Sequence, residues 1–297
     1  MSASNRAHRG TIHLEEAEII EQAAHPGEQF ILRVSAPECA RTAVAGSFAH
    51  IRCDADIPMR RPISIMRADP VTGQVDFLYK IVGSGLRALS TKKPGDAISI
   101  MGPIGNGFSA NESKPRKLMV GGGVGVPPML FLAAQLASGG TDLSGSLVLM
   151  GSEVPFPFTM VKSKLQANGI AADATHALAE LETLGIPSRL ASLRDYAGVH
   201  TGYVTALASG WLNALPSAER EQVEMFACGP EPMLEAVAVI AAEFGVACQL
   251  SLEEFMACAV GGCAGCTVPV HEADGIAMRR VCVDGPVFAA ESIYPAA

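Results

Sequence analysis

The sequence predicts a β-barrel domain, then an α/β domain with a parallel sheet, then a small cysteine-rich segment at the C-terminus. Three observations predict this architecture. Residues 11–110 contain short apolar runs separated by turn signals, residues 115–245 alternate strand-like and helix-like runs, and four of the eight cysteines follow residue 257. Short strands at regular spacing are typical of a barrel or sandwich, whereas strands alternating with helices indicate a parallel sheet covered on both faces.

The composition is that of a well-buried globular chain. Of 297 residues, 49% are hydrophobic and 18% charged, and the net charge of −8 disfavours a nucleic-acid partner. No uninterrupted apolar run reaches the ~18 residues of a membrane span. The N-terminal MSASNRAHRG has no apolar signal core, so we expect a cytoplasmic protein whose cysteines serve metal or redox chemistry.

The barrel is predicted over residues 8–113. Its strands are expected in TIHLEEAEII, QFILRVSA, SFAHIRC, PISIMRA, VDFLYKIVG and DAISIMGP, each rich in β-branched or aromatic residues. The turn signals HPGE, DPVTG and KPGD separate several of them. One helix is expected at 84–92.

The α/β domain is predicted over residues 114–246. RKLMVGGG, SGSLVLMGS and VEMFACG indicate buried strands, and VPPMLFLAAQLAS and EPMLEAVAVIAAEFG indicate helices. FTMVKSKLQANG is also predicted as a helix, closed by Gly169. Residues 175–200 are expected to hold one helix followed by an irregular loop. After Gly245, the strand ACQLSLEEF is expected to lead into the last segment, residues 247–297.

The cysteine spacing of that last segment predicts an iron–sulfur centre. The gaps between the four cysteines are four, two and fifteen residues, the plant-type arrangement of a [2Fe–2S] cluster. Zinc is the main alternative, although it usually takes two separated C-x2-C pairs; disulfides or inert thiols are the other. Three glycines in AVGGCAGC would let the loop bend, at positions 261, 262 and 265. The predicted ligands are Cys258, Cys263, Cys266 and Cys282.

Two motifs in the barrel are suited to a flavin nucleotide. In RPIS (61–64), Arg61 could pair with a pyrophosphate through its planar fork, while the extended residues lie along a ring. In LYKIVGSGL (78–86), a glycine turn that opens a helix offers free N–H groups to a phosphate. By itself each motif is also compatible with an ordinary strand or turn.

Two motifs in the α/β domain each close a strand and open a helix. GGGVGVPP (121–128) stands where a dinucleotide-binding loop stands, although its spacing is not G-x-G-x-x-G. CGPEPM (228–233) has small residues that would let a nicotinamide ring approach the carboxyl edge of the sheet, where ligands bind in open α/β folds. We interpret Cys228 as a small wall of that site rather than as a nucleophile.

Other polar residues are predicted to be structural. His50, His176 and His200 are expected on the surface or in loops. Glu253 and Glu254 are expected on opposite faces of a strand. Three further thiols are expected to be buried and inert, namely Cys39, Cys53 and Cys248.

In this order, the motifs resemble the ferredoxin–NADP reductase superfamily, in which a barrel holds FAD and a second domain holds NAD(P). With SLEEFMACAVGGCAGC and VCVDGPVF at the C-terminus, nearly the whole chain resembles the electron-transfer subunit of class 1B dihydroorotate dehydrogenase. The resemblance implies that the four cysteines bind [2Fe–2S]. It implies FAD contacts from Arg61, Pro62, Ile63, Ser64, Leu78, Tyr79, Lys80, Gly85 and Leu86. The residues expected to bind NAD(H) are Gly121, Gly122, Gly123, Gly125, Pro127, Cys228, Gly229, Pro230 and Met233.

The chain departs from the family pattern in three places. Leu86 replaces a threonine after the helix-opening glycine, and Phe255 replaces a basic residue before the cysteine loop. The acidic Asp-Gly-Ser stretch of the nucleotide domain is not recognisable within 175–200. Two interpretations of how the domain binds the adenosine end of the nucleotide therefore remain open. Glu153 could bond a ribose hydroxyl and favour NAD, or Arg189 could bind the 2′-phosphate of NADP.

The resemblance implies that electrons pass between NAD(H), FAD, the cluster and an FMN-containing catalytic subunit, within a heterotetramer that oxidises dihydroorotate to orotate in pyrimidine biosynthesis. No catalytic base is assigned here, because proton abstraction would fall to the partner. The alternatives are a reductase subunit of another complex, of the sulfide dehydrogenase or ferredoxin–NADP reductase type, and a non-catalytic, zinc-stabilised nucleotide-sensing subunit.

Overall fold

A six-stranded closed antiparallel barrel forms the first half of the molecule in a computed structural model, which describes residues 11–295. The strand order around the barrel is 1-2-5-4-3-6, and the sixth strand pairs back onto the first. All six predicted strands are present, and the helix expected at 84–92 runs from Gly83 to Leu89. The elements are β1 (His13–His25), β2 (Gln29–Ser35), α1 (Pro37–Thr42), β3 (Phe48–Arg52), β4 (Arg61–Asp69), β5 (Gln74–Lys80), α2 (Gly83–Leu89) and β6 (Ala97–Ile104).

The second half is a mostly parallel sheet with helices on both faces. Its strands run in the order 12-11-8-7-13-14, all parallel. The elements are β7 (Arg116–Gly122), α3 (Val126–Ser138), β8 (Leu147–Gly151), β9 (Met160–Lys162), β10 (His176–Leu178), α4 (Ala179–Thr183), β11 (Ser188–Ser192), β12 (His200–Thr201), α5 (Val204–Ala214), α6 (Ser217–Arg220), β13 (Val223–Cys228), α7 (Glu231–Phe244) and β14 (Ala247–Ser251).

The C-terminal segment contains a small hairpin and then returns to the large sheet. Its last strand pairs antiparallel with β14 as the seventh strand of the sheet. β14 is thus part of the sheet, although the boundary expected at residue 247 assigns it to the cysteine-rich segment. The elements are β15 (Thr267–Glu272), β16 (Gly275–Arg280), β17 (Val287–Ala289) and α8 (Ala290–Ile293).

Two sequence predictions for the α/β domain were wrong, and one helix was missed. FTMVKSKLQANG is not a helix, because Met160–Lys162 forms β9 and pairs with β10. Residues 175–200 are not one helix and a loop, since they supply β10, α4, β11 and the start of β12. The strand β11 was missed because it is short and fully buried but contains polar residues, so its sequence lacks the apolar run of a buried strand. Helix α5 was not predicted at all.

One apolar core joins the barrel to the α/β domain. Helix α3 is buried on nearly every side, since it packs on β4 of the barrel and on β7 of the sheet. A helix that is apolar all round belongs between two layers. Burial of each large side chain, such as Phe131 or Leu132, contributes about 1.5–3 kcal/mol. We therefore expect the two domains to keep a fixed arrangement and not to close around a hinge.

Candidate functional site: three cofactor-binding regions

Arg61 stands at the start of β4 with its guanidinium group against the glycine turn that opens α2. A Cβ atom placed on Gly85 would lie 3.0 Å from the Cζ, Nε and Nη2 atoms of Arg61. Nη1 donates to the carbonyl groups of Met59 and Arg60, at 2.9 and 3.2 Å. Within residues 11–295, Nε and Nη2 have no protein acceptor and no carboxylate pairs with this guanidinium, so one side of its fork can take a phosphate.

The other barrel residues of the expected site fall into two groups. The side chains of Leu78 and Tyr79 point into the core: each is 2% exposed, and the Tyr79 hydroxyl donates to Gln22 Oε1 at 2.9 Å while its ring stacks on Phe30. Any cofactor contact at these two positions would therefore come from the backbone of β5. The other positions of the expected site are partly exposed or adjoin partly exposed residues. These positions are Pro62, Ile63, Ser64, Lys80 and Leu86.

The two glycine-rich motifs of the α/β domain lie against each other at the carboxyl edge of the sheet. β7 and β13 are neighbours, and Gly121 stands opposite Cys228 in their register. A Cβ atom on Gly125 would lie 2.2 Å from the carbonyl oxygen of Cys228, so only glycine fits there. This packing leaves no room for a side chain between the two motifs at that position.

Cys228 is a buried thiol and not an activated nucleophile. It is 0% exposed, and burial, aided by the charge of Glu253, raises its pKa far above that of a free cysteine. Glu253 itself was expected on a strand, but β14 ends at Ser251. Although the residue as a whole is exposed, burial of its carboxyl group raises its pKa.

The place of Glu253 in the sequence, shortly after a strand, could have identified it as a candidate site residue. Ser251 pairs with Cys228 at the ends of β14 and β13, so the residues that follow both strands meet at one edge of the sheet. Glu253 therefore adds a carboxyl group that keeps its proton to higher pH than a free glutamate does.

The structure distinguishes the two residues that could bind the adenosine end of NAD(P), Arg189 and Glu153. Arg189 lies in the first half of β11, opposite Leu149, away from the carboxyl edge. It is 8% exposed, and its guanidinium donates to Ser163 Oγ and to the carbonyl groups of Ser188 and Leu165. Both terminal nitrogens of this arginine are thus used within the domain, where they support residues 163–165. Glu153, in contrast, is exposed just beyond the end of β8.

Backbone N–H groups converge on the thiols of the cysteine loop. Burial opposes ionisation of Cys258, but hydrogen bonds from the backbone of Val260, Cys263 and Gly262 and from the Cys263 side chain outweigh it and lower its pKa to about 7. The backbone N–H of Gly265 donates to Cys263 Sγ at 3.4 Å. Such donors stabilise thiolates and the sulfur atoms of a cluster, so this loop fits an anionic metal–thiolate group.

The four thiols are arranged as two pairs. The Cys263 side chain lies close enough to Cys258, and the Cys266 side chain close enough to Cys282, to shift the pKa of its neighbour. In the described part of the chain, no three Cys, His, Asp or Glu side chains converge on one point. Two thiol pairs fit a centre with two irons that share four cysteines. Cys263 is exposed, whereas Cys266 and Cys282 are buried.

The bends of this loop differ from those expected. Of its three glycines, only Gly261 has a positive φ, +76°, whereas Ala259 and Ala264 adopt left-handed φ values of 56° and 53°. Left-handed backbone costs an alanine about 1–2 kcal/mol. The loop therefore holds a strained shape that is fixed by its surroundings, as is common where a segment is shaped around a ligand.

The histidine predictions had mixed outcomes. His50 was expected on the surface or in a loop, but it lies in the middle of β3 and is 0% exposed. His176 and His200 are half-buried at the outer edge of the α/β domain, where His200 Nδ1 is 2.9 Å from an oxygen of Asp173. Three other thiols are buried as expected, namely Cys39, Cys53 and Cys248.

Comparison with known proteins agrees with this arrangement. The family model for the "Iron-sulfur cluster binding domain of dihydroorotate dehydrogenase B" matches residues 253–294. Among solved structures, an NADH-dependent reduced ferredoxin-NADP oxidoreductase superposes with a TM-score of 0.74 and 26% identity, covering 94% of this chain and 90% of the other. The ferredoxin reductase of carbazole 1,9a-dioxygenase shares the fold at 18% identity, with a TM-score of 0.59 and coverage of 79% and 67%.

Fold and site together define an FAD- and NAD-binding reductase of the ferredoxin–NADP reductase type that carries a C-terminal iron–sulfur domain. The curated relatives narrow this class. The dihydroorotate dehydrogenase B (NAD(+)) electron transfer subunit of Caldanaerobacter subterraneus subsp. tengcongensis is 34% identical over 84% of this chain and 86% of its own. That of Geobacillus thermodenitrificans is 31% identical over 94% and 98%. The chain belongs to the family of dihydroorotate dehydrogenase B electron transfer subunits. In residues 11–295, no helix is long and apolar enough to cross a membrane.

Proposed function

We propose that this chain is the electron transfer subunit of a dihydroorotate dehydrogenase, carrying FAD in the barrel, NAD(H) at the sheet edge and [2Fe–2S] in the cysteine loop. When bound, these groups convert the two-electron chemistry of a nicotinamide into the one-electron steps of a cluster. The partner we propose is an FMN-containing catalytic subunit that oxidises dihydroorotate to orotate, in a heterotetramer.

The observation that carries this proposal is the packing of the cysteine loop on the flavin barrel. Phe48 and Ile104 of the barrel share one apolar cluster with Met256, Cys266 and Cys282. Asn106 ties the two parts further, because its side chain donates to the carbonyl groups of residues 283 and 284. Electrons need a short path between carriers, and this contact supports neighbouring positions for the flavin and the cluster.

Each group of residues has a part in this scheme. Arg61 holds the pyrophosphate of FAD, and β4 and β5 lay their backbone along the flavin. Gly125 and the 228–230 turn admit the nicotinamide to the flavin edge without a side chain between them. At the adenosine end, the exposed Glu153 and the inward-directed Arg189 support NAD(H) rather than NADP(H). The exposed Cys263 marks the side of the cluster that faces the partner.

A reconstitution experiment tests the electron path. Anaerobically purified chain should show flavin bands and broad cluster absorbance, and NADH should reduce both. Mixed with its FMN-containing partner, it should support dihydroorotate-dependent reduction of NAD+, measured at 340 nm. A colourless protein holding one zinc ion after reconstitution would contradict the proposal. So would full activity of the lone chain toward a soluble ferredoxin together with no partner in a pull-down.

Replacing Arg61 by glutamine should weaken FAD binding. Loss of a charge-assisted bond to phosphate costs about 1.5–3 kcal/mol, so the Kd for FAD should rise about 10- to 100-fold. The measurement is flavin fluorescence recovered on titrating deflavinated protein. Arg87→Gln is the matched control, since Arg87 lies on α2 itself but is exposed and pairs with Glu28. Equal affinities of the two variants would remove Arg61 from the FAD site.

A further inference from the structure

The hairpin of β15 and β16 carries exposed apolar side chains on one of its two faces. Residues paired across the strands share a face, so Pro269 lies beside Met278 and His271 lies beside Ile276. All four are exposed, and Ile276 and Met278 are 66% and 61% exposed. Val270 points to the other face, where it is only 5% exposed. The four exposed residues form the outer face of the hairpin.

The two faces of the hairpin differ in what covers them. The inner face packs on the protein, since Val268 lies against the apolar cluster that contains Phe48 and Ile104. Within residues 11–295, the outer face stays open to solvent. A two-stranded sheet is only marginally stable by itself, and grouped apolar side chains on a surface are typical of an interaction site. The outer face is therefore suited to being covered by another protein.

Two of the four cysteines stand at the base of this hairpin. β15 begins directly after Cys266, and the backbone N–H of Val281 donates to the carbonyl oxygen of Cys266 at 2.9 Å. Cys282 follows Val281 directly. A strand advances about 3.3 Å per residue, so Pro269 lies about 10 Å from Cys266 along β15. A protein seated on the outer face is thereby brought next to the iron–sulfur site.

Arg280 connects the outer face with the cysteine loop. It lies two residues from Met278 and therefore on the same side of β16, and its Nη1 donates to the carbonyl group of Gly261 at 3.2 Å. Val260, the neighbour of Gly261, is 49% exposed. The loop thus adds an exposed apolar residue beside the outer face, and a single partner can contact both.

The two arginines of β16 are neutralised within the chain. Arg280 Nε donates to Asp284 at 3.0 Å, and Arg279 Nε donates to Glu272 at 2.6 Å. Neither arginine is left to attract an acidic partner. Complementary charge steers transient encounters, whereas permanent interfaces are the more apolar ones. The outer face therefore fits a subunit that stays bound, rather than a soluble carrier that is recruited by charge.

We propose that the outer face is the main contact surface for the FMN-containing subunit, with Ile276 and Met278 as its anchors beside the exposed Cys263. The inference rests on the proposed function, which supplies that subunit. Apolar side chains buried near the centre of an interface contribute most of its affinity. Anchoring at the hairpin holds the cluster beside the electron acceptor of the partner.

Polar replacements of similar shape test the two anchors. Ile276→Thr keeps a β-branched side chain and Met278→Gln keeps an unbranched one, so the hairpin should remain folded. Each should raise the Kd for the purified FMN-containing subunit by about tenfold, because a large apolar side chain loses its cover. The measurement is biolayer interferometry with the FMN-containing subunit immobilised. For the parent chain, raising NaCl from about 50 to about 500 mM should change this Kd by less than about threefold.

Val239→Thr is the matched control, because Val239 is 61% exposed on α7 of the α/β domain. It should bind the subunit like the parent. In all three variants without partner, cluster absorbance and the reduction of flavin and cluster by NADH should stay within about twofold of the parent, which excludes a folding defect. Hydrogen exchange of residues 267–280 in the parent should slow by about tenfold when the subunit binds.

The inference is overturned if Ile276→Thr and Met278→Gln bind like the parent, or if Val239→Thr weakens binding as much as they do. Dissociation of the parent complex by salt would also overturn it, since the contact would then depend on charge. Unchanged exchange of residues 267–280 in the parent complex would do so without any variant. These outcomes concern the hairpin alone, whereas a parent chain that binds no FMN-containing subunit would overturn the proposed function as well.

Discussion

Replacing Cys263 by serine should abolish the cluster and leave the flavin half of the protein working. Serine is a far weaker acid than a cysteine thiol and a harder ligand, so it does not replace a thiolate on iron at neutral pH. We expect the cluster absorbance to disappear and electron delivery to the partner to fall by more than about 100-fold, beyond the loss caused by removing an outer-shell group. Reduction of FAD by NADH should stay within about twofold.

Cys263 is suited to this test because it is exposed and its loss leaves no cavity in the core. Cys53→Ala is the matched control: that thiol is buried in the barrel, and burial raises its pKa to about 11, so it remains protonated. The measurements are iron content, visible spectra and single-turnover reduction by NADH. Parallel loss of flavin reduction and electron delivery in Cys263→Ser would contradict the proposed order of carriers.

Replacing Glu224 by alanine should destabilise the fold strongly. Its Oε2 atom is 3.0 Å from Lys117 Nζ, with the side chains only 6% and 2% exposed. The same carboxylate accepts hydrogen bonds from the backbone of Asn111 and from the side chain of Gln249. Removing one partner of a buried ion pair leaves the other charge uncompensated, so the free energy of unfolding should fall by about 3–5 kcal/mol, measured from urea unfolding.

Two comparisons sharpen this expectation. Glu272→Ala breaks an ion pair with Arg279 that is largely exposed, so it should change stability by less than about 1 kcal/mol. The double variant Lys117→Met/Glu224→Leu removes both buried charges and should recover most of the loss. Because the pair lies at the amino end of β7 and β13, away from the ligand edge, cofactor binding should be kept in the double variant. A double variant as unstable as Glu224→Ala would show that the charges are needed together.

The parts of the fold that sequence reasoning predicted are those with strong local patterns. All six barrel strands and helices α3 and α7 were predicted, because alternating or continuous apolar runs bounded by Gly and Pro are local signals. The errors lie where local pattern is weak. β11 reads SRLAS, and its arginine and serines are buried through tertiary hydrogen bonds that no local rule reveals. The helix predicted at 158–169 fails because β9 forms only by pairing with β10, on the far side of a connecting segment.

By itself, the sequence determined the order of domains, the spacing of the four cysteines and the presence of two glycine-rich turns at strand ends. These follow from covalent spacing and from local conformational preference. Only the tertiary structure decided which polar groups are free to act. It places Arg61 against Gly85, turns Arg189 inward and buries Cys228 and His50 completely. Burial and contacts between residues far apart in sequence decide such roles, and they exist only once strands and helices have packed together.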